Sequence, residues 1–246
     1  MTDFEHHWAT NQNDLLADKK KEVALQFFKP VLDRIKQKDN AYILDAGCGD
    51  GVHAQVLAES EESFSYCGID ISQNAISAAR SRVGDKRFEF LVEDMMSTSL
   101  DSEVFDIVFS YGVIAYTESP VTVVLELARV TKTGGIVGLW IYPKPEGMLG
   151  QLFRITQWLC VKGGSRVSYH IANIIVPFMR LLPVSSGVHL GNATWQQCRE
   201  VVLVNIAPLH LAFPDKREIS GWFSEAGLEI VGEDLDNPVT IWAIKK

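Results

Sequence analysis

The chain has 246 residues, 47% of them hydrophobic and 22% charged, with a mean hydropathy near +0.05. That balance excludes a disordered, collagenous or coiled-coil chain and supplies enough apolar material for one large core, or one domain with an elaboration. Lys and Arg number 23 against 31 Asp and Glu, a net charge of −8, which is the wrong sign for a general grip on nucleic-acid phosphates, so no nucleic-acid partner is expected.

The opening residues, Met1-Thr2-Asp3-Phe4-Glu5-His6-His7-Trp8, carry neither the basic nor the apolar region of a secretory signal. The most apolar uncharged run, Val167 to Met179, is too short to cross a bilayer and contains His170, Asn173 and Pro177. A cytoplasmic location is therefore expected. Cys48, Cys67, Cys160 and Cys198 lie far apart with no C-x-x-C pair, which predicts free thiols and no metal site.

Residues 1–40 read as a loose arm followed by a helix over Lys19 to Ile35, with Val23, Phe27, Val31 and Ile35 at helical spacing. From Ala41 to Tyr142 short β-branched runs alternate with helical stretches, the pattern of βαβ units on a parallel sheet covered by helices on both faces. The predicted strands are Ala41 to Ala46, Ser65 to Ile71, Phe88 to Glu93, Val104 to Ser110 and Gly135 to Tyr142. Ser72 is a fitting N-cap for a helix running to Val83, Pro120 suits a helix start, and Gly134-Gly135 is expected to end that helix near Lys132.

Between Trp140 and Asp215 the alternation stops, and residues 143–214 read as a helical cap inserted after the fifth strand. Its helical stretches are Met148 to Val161, Val167 to Leu182 and Thr194 to Ile206, separated by Gly163-Gly164 and by Pro183 to Asn192. Residues 215–246 complete the core. Asp215-Lys216-Arg217-Glu218 is a capping box opening a helix with Ile219, Trp222, Phe223 and Ala226 on one face and Gly227 at its end. Two strands follow, Leu228 to Glu233 and Val239 to Ile244.

Leu44-Asp45-Ala46-Gly47-Cys48-Gly49-Asp50-Gly51 follows a buried strand and precedes a helix. In that context glycines let the backbone approach a nucleotide-like ligand, and helix N-terminal amides donate to its carboxylate or phosphate. The spacing is G-x-G-x-G, and Val52 stands where a dinucleotide fingerprint needs Gly or Ala, which weighs against an NAD-dependent oxidoreductase. Asp70 ends the next strand, where a carboxylate accepts hydrogen bonds from ribose hydroxyls, and Asp94 follows the third.

These motifs, with Phe105 to Ser110 and Leu125 to Gly135, resemble the class I S-adenosylmethionine (SAM) dependent methyltransferases, and among them the small-molecule "methyltransferase domain 11" group. The resemblance is strong over about residues 40 to 142 and covers 215 to 246 more loosely. It implies an α/β, Rossmann-like seven-stranded sheet of order 3-2-1-4-5-7-6 with the last strand antiparallel. It also implies SAM as methyl donor, leaving as S-adenosylhomocysteine. By the same resemblance, Gly47, Gly49 and Gly51 shape the loop facing the methionine part, and Asp45 lies under the ligand's amino group. Asp70 and Ile71 are at the ribose, Asp94 and Met95 at the adenine, and Ser110 and Tyr111 edge the sulfonium.

SAM is already activated, so the protein mainly places a nucleophile in line with the methyl carbon and excludes water. A hydroxyl or acidic carbon acceptor needs a general base. The candidates are Tyr111, Tyr116, His170, His189 and His210, and the base stays unassigned because the His that many relatives carry near the position of Tyr116 is absent. Ser110-Tyr111-Gly112-Val113-Ile114 lacks the Asn/Asp-Pro-Pro-aromatic signature of many DNA, RNA and protein amino methyltransferases, which with the acidic composition points to a small-molecule acceptor. O-methylation is slightly favoured over C- or N-methylation as common among such families. A non-catalytic SAM-binding regulator is the alternative that the missing base keeps open.

From Gly147 to Arg199, 53 residues, there is no Asp or Glu, while Arg154, Lys162, Arg166, Arg180 and Arg199 supply positive charge. The apolar stretch Ile171 to Leu182 reads as a buried helix, a homodimer contact or a lid, which with the arm around Phe4 and Trp8 would enclose an apolar or anionic acceptor. The basic residues also admit contact with an anionic membrane. The segment His210 to Asp215 resembles a loop that borders the acceptor pocket in related enzymes, which implies a pocket wall.

Overall fold

The computed structural model of the chain describes residues 17–59, 63–142, 147–181, 194–206, 213–234 and 239–246. Its centre is a sheet of β1 (Ala41–Ala46), β2 (Phe64–Asp70), β3 (Phe88–Val92), β4 (Phe105–Tyr111), β5 (Thr131–Ile141), β6 (Leu228–Asp234) and β7 (Val239–Lys245), in the order β3-β2-β1-β4-β5-β7-β6. The first five strands are mutually parallel, and β7 runs antiparallel between β5 and β6. Chain order reverses direction across the sheet between β1 and β4, and a parallel sheet opens a crevice beyond its strand ends at such a switch point.

The sheet is buried on both faces, which is why its central strands are nearly continuous apolar runs. On one face Phe28, Val31, Ile43, Leu57, Ile76 and Phe109 pack together, drawn from the sheet and from α1 (Ala17–Gln37), α2 (Val52–Ala58) and α3 (Gln73–Arg82). On the other, Leu44, Val108, Leu127, Val137, Ile219 and Phe223 join the strands to α4 (Pro120–Val130) and α7 (Lys216–Glu225). Full burial of each large apolar side chain contributes about 1.5–3 kcal/mol. Ile43 and Leu44, adjacent in β1, enter opposite layers, as the strand period of two requires.

The helix starts follow their local chemistry. Ser72 Oγ accepts from the Ala75 amide at 3.1 Å, Ser119 caps α4 with Pro120 in its first turn, and the capping box forms. Asp215 Oδ1 accepts from the Arg217 and Glu218 amides, and Glu218 Oε2 accepts from the Asp215 amide at 2.7 Å. At the foot of β4, buried Asp106 accepts from the Tyr42 amide and from the Lys38 and Lys132 ammonium groups, so the charge is paired.

One boundary differs from expectation. Gly134-Gly135 does not end α4, because the helix stops at Val130 and Thr131 is already extended, its hydroxyl donating to Leu127 O at 2.6 Å. β5 therefore begins four residues early and bulges, Thr131 pairing with Phe105 and Ile136 with Ile107, with Gly134 at φ +77 inside the irregularity.

A second compact unit contains α5 (Gly147–Leu181) and α6 (Trp195–Ile206). The predicted break at Gly163-Gly164 is present inside the range of α5: Gly164, at φ +69 and ψ −169, is non-helical and divides it into two helical segments, in a conformation nearly restricted to glycine. Cys160, Ala172, Val176, Cys198 and Val202 form the unit's small core. The stretch after Ile171 is not buried all round, since Ala172 and Val176 are covered while Ile174 and Phe178 are 66% and 61% exposed. The arm with Phe4 and Trp8, the separator Pro183 to Asn192, His189 and His210 lie outside the described residues.

Candidate functional site

The glycine loop leaves β1 at the switch point. Gly47, Gly49 and Gly51 have φ of +88, +54 and +79, values that a residue with a Cβ adopts only at a cost. A Cβ on Gly47 would lie 2.8 Å from Val113 Cγ2 and 2.9 Å from Met95 Cε, so the backbone there passes closely under both side chains. The loop is anchored from β2, with the Gly47 and Cys48 amides donating to Ile69 O at 2.8 and 2.9 Å.

Asp70 sits at the end of β2, its carboxylate almost covered. Its Oδ2 accepts from the Gly49 amide at 3.0 Å and its Oδ1 from the Ser72 amide at 2.9 Å. One side chain thus fixes both the glycine loop and the start of α3. Beside it, Ile71 is 55% exposed, an apolar face at the sheet edge. Asp94 is half-buried and accepts from the Met96 amide at 2.9 Å, a turn that directs Met95 inward.

Asp45 is fully buried in β1. Its Oδ2 accepts from the Tyr66 hydroxyl at 2.6 Å, and His53 Nδ1 stands 3.8 Å from the same atom. Its Oδ1 is buried without a hydrogen-bond partner, as is Ser110 Oγ near the end of β4. Buried orphaned polar atoms are costly and rare, and these two lie near the carboxyl ends of neighbouring strands, where a donor group would satisfy them. The site's donor set has no thiolate: burial pushes the Cys48 thiol well up, with the Asp45 and Asp70 carboxylates adding to it, so Cys48 serves as a small apolar filler.

Aromatic rings gather where β4 and β5 end. Tyr111 stacks on Trp140 at 4.5 Å, Tyr142 meets Trp140 edge-on at 4.7 Å, and Tyr116 lies 6.2 Å from Tyr142. The His53 ring is 4.6 Å from Tyr111 and 5.4 Å from Phe28, so it links the aromatic group to Asp45. Burial raises the Tyr111 and Tyr116 phenols far above their ordinary value, and neighbouring Tyr142 adds to both. Both therefore keep their protons at neutral pH and act as donors or walls before they act as bases.

Of the sequence candidates, one unit gathers Asp45, the three glycines, Asp70, Ile71, Asp94, Met95, Ser110, Tyr111 and Tyr116 on β1–β4 and the segments that follow them. His170 is exposed on α5 of the other unit. The sequence reading missed His53, Trp140 and Tyr142. His53 was detectable from its place two residues past the third glycine, on the first turn of α2, where a side chain lies beside the loop.

Residues 44–139 match the family described as "Methyltransferase domain". The chain is 26% identical over 140 residues to an uncharacterized methyltransferase of Mycobacterium tuberculosis, covering 57% of this chain and 70% of that protein. It is 29% identical over 200 residues to the demethylmenaquinone methyltransferase of Bacillus subtilis, covering 79% and 73%. Among solved structures it resembles the magnesium protoporphyrin IX methyltransferase of Synechocystis with bound S-adenosylhomocysteine. The TM-score is 0.57 at 15% identity, over 99% of this chain and 94% of that one.

Proposed function

The chain is a class I SAM-dependent methyltransferase, and from that premise we propose that it transfers the methyl group to a small, largely apolar acceptor bearing an acidic hydroxyl or carboxyl group. The bound SAM supplies a sulfonium methyl that is already electrophilic. The protein's share is to bind, to orient and to exclude water.

On this reading the Gly47 and Gly49 backbone and Asp45 hold the methionine end, with the orphaned Asp45 Oδ1 accepting from the ammonium group. Asp70 receives the ribose hydroxyls, Ile71 and Met95 pack the adenine, Asp94 accepts from its amine, and Ser110 and Tyr111 border the sulfonium. The observation that carries the reading is the clamp in which Asp70 binds the Gly49 and Ser72 amides at once, because it orients the carboxylate beside a loop whose positive φ values favour glycine.

The aromatic set Tyr111, Trp140, Tyr142 and Tyr116 supports an apolar, ring-bearing acceptor. The relative from Bacillus subtilis is named for a menaquinone precursor and the Synechocystis neighbour for a porphyrin, both consistent with that class. Two tyrosines that keep their protons favour an acceptor acidic enough to ionise without them, which supports oxygen over carbon. The net charge of −8 supports a small molecule over a nucleic acid.

Isothermal titration with SAM and with S-adenosylhomocysteine is the first test, followed by transfer of labelled methyl to a panel of phenols, hydroquinones and aromatic carboxylic acids. Binding of both ligands with label on a panel oxygen is the expected result. Binding without transfer to any member, alongside transfer to an amine or to tRNA, would overturn the acceptor class.

A further inference from the structure

α5 carries two apolar stripes. One, with Phe153 and Cys160, belongs to the core shared with α6. The other is Met148, Leu152, Ile155 and Leu159, spaced four, three and four residues apart, and these stand 83%, 59%, 56% and 42% exposed. Trp158 lies beside them at 60%. Water-soluble surfaces seldom keep so continuous an apolar stripe unless something covers it.

The charges around the stripe indicate what covers it. Arg154 and Lys162 are exposed on the same helical segment, and Arg166 is exposed just past the break at Gly164. Between Gly147 and Arg199 there are five basic residues and no acidic one, while the rest of the chain holds all 31 Asp and Glu and 18 Lys and Arg. A second copy docking stripe to stripe would bring like charges together. A polyanion such as RNA would satisfy the cations and leave the apolar side chains without partners. An anionic lipid surface satisfies both sets at once.

We propose that this stripe of α5 lies in the plane of an anionic membrane, with Met148, Leu152, Ile155 and Leu159 in the acyl boundary and Trp158 at headgroup level. Arg154 and Lys162, on the same segment, then face lipid phosphates. Among the described residues no helix is long and apolar enough to cross a membrane, so α5 lies on the bilayer. The inference concerns a surface only and does not depend on the identity of the methyl acceptor.

The test is flotation of the full chain, without SAM or acceptor, with vesicles of phosphatidylglycerol and phosphatidylcholine in equal parts and with phosphatidylcholine alone. The chain is expected to float with the anionic vesicles, to stay behind with the neutral ones, and to be released by about 1 M salt, where the screening length is only about 3 Å. Arg154→Gln with Lys162→Gln should weaken partitioning by about thirtyfold. Leu152→Glu with Ile155→Glu should abolish it while SAM binding, read by titration, is unchanged. If that pair does not fold, Trp158→Ala carries the same test, with partial loss expected. Absence of flotation, equal flotation with both vesicles, or a dimer in sedimentation that Leu152→Glu dissociates would overturn the proposal, the last assigning the stripe to a second copy.

Discussion

The Tyr66 hydroxyl donates to Asp45 Oδ2 at 2.6 Å from one buried strand to its neighbour, tying the carboxylate below the glycine loop to a side chain of β2. Burial, with the nearby Asp45 charge, pushes the Tyr66 phenol well up, so it remains a donor throughout the physiological range. This bond occupies Oδ2 and leaves Oδ1 as the buried oxygen without a partner.

Tyr66→Phe removes the donor and keeps the ring. A buried charged acceptor that loses its bond costs about 1–3 kcal/mol, so urea denaturation should show a loss of that size. SAM affinity should fall alongside it, read by titration, because Asp45 is no longer held in place.

Asp70→Ala deletes the acceptor for the Gly49 and Ser72 amides together with the proposed ribose contact. Losing hydrogen bonds to a charged group at about 1.5–3 kcal/mol predicts roughly a 10- to 150-fold rise in the Kd for both SAM and S-adenosylhomocysteine. Equal affinity in the variant would remove Asp70 from the cofactor site.

Gly47→Ala and Gly134→Ala separate backbone strain from crowding. Gly134, at φ +77, has open space where a Cβ would go, so its variant should lose only about 1–2 kcal/mol. Gly47, at φ +88, adds a clash with Met95 and Val113, worth about a further 1–3 kcal/mol, and should also lose SAM binding. Chemical denaturation and titration of the two variants side by side check the ordering.

Glu126 on α4 makes stability depend on acidity. The Arg129 guanidinium beside it holds its carboxyl down at about 2, helped by hydrogen bonds from the Thr98 hydroxyl and amide, against the opposing effect of burial. A depressed folded-state value means this contribution is complete above the ordinary value of 4.5 and fades as pH falls towards 2. Glu126→Gln should therefore lower the melting temperature near neutral pH, and the gap to the parent chain should narrow steadily below about pH 4.5. A gap that is constant down to acid pH would show that the charge is not what the site uses.

Much of the fold was legible without coordinates because its signals are local. A glycine-rich turn after an apolar run, Ser72 ahead of one helix and Pro120 at the start of another, and the Asp215–Glu218 capping box each act within four residues, and each forms as the pattern predicts. Asp70 and Asp94 were readable too, since residues ending parallel strands arrive at one edge of the sheet.

The rest depended on chain segments meeting across the fold. Local rules place Gly134-Gly135 at a helix end, yet pairing with β4 claims Thr131 for the sheet and turns the glycines into a bulge. His53 looks like an ordinary helix residue until packing sets its ring against Tyr111 and its Nδ1 near Asp45. Composition revealed a basic, apolar segment in α5 but not which side chains are covered, because burial on a helix is decided by the neighbour it packs against. Sequence alone thus determined the alternating elements, the glycine-rich turn and the helix caps, through spacings of a few residues, and its resemblance to a known family implied the strand order that the sheet shows. Only tertiary structure decided the orphaned oxygen of Asp45, the aromatic wall and the exposed stripe of α5, because each is made by residues that the fold brings together or leaves uncovered.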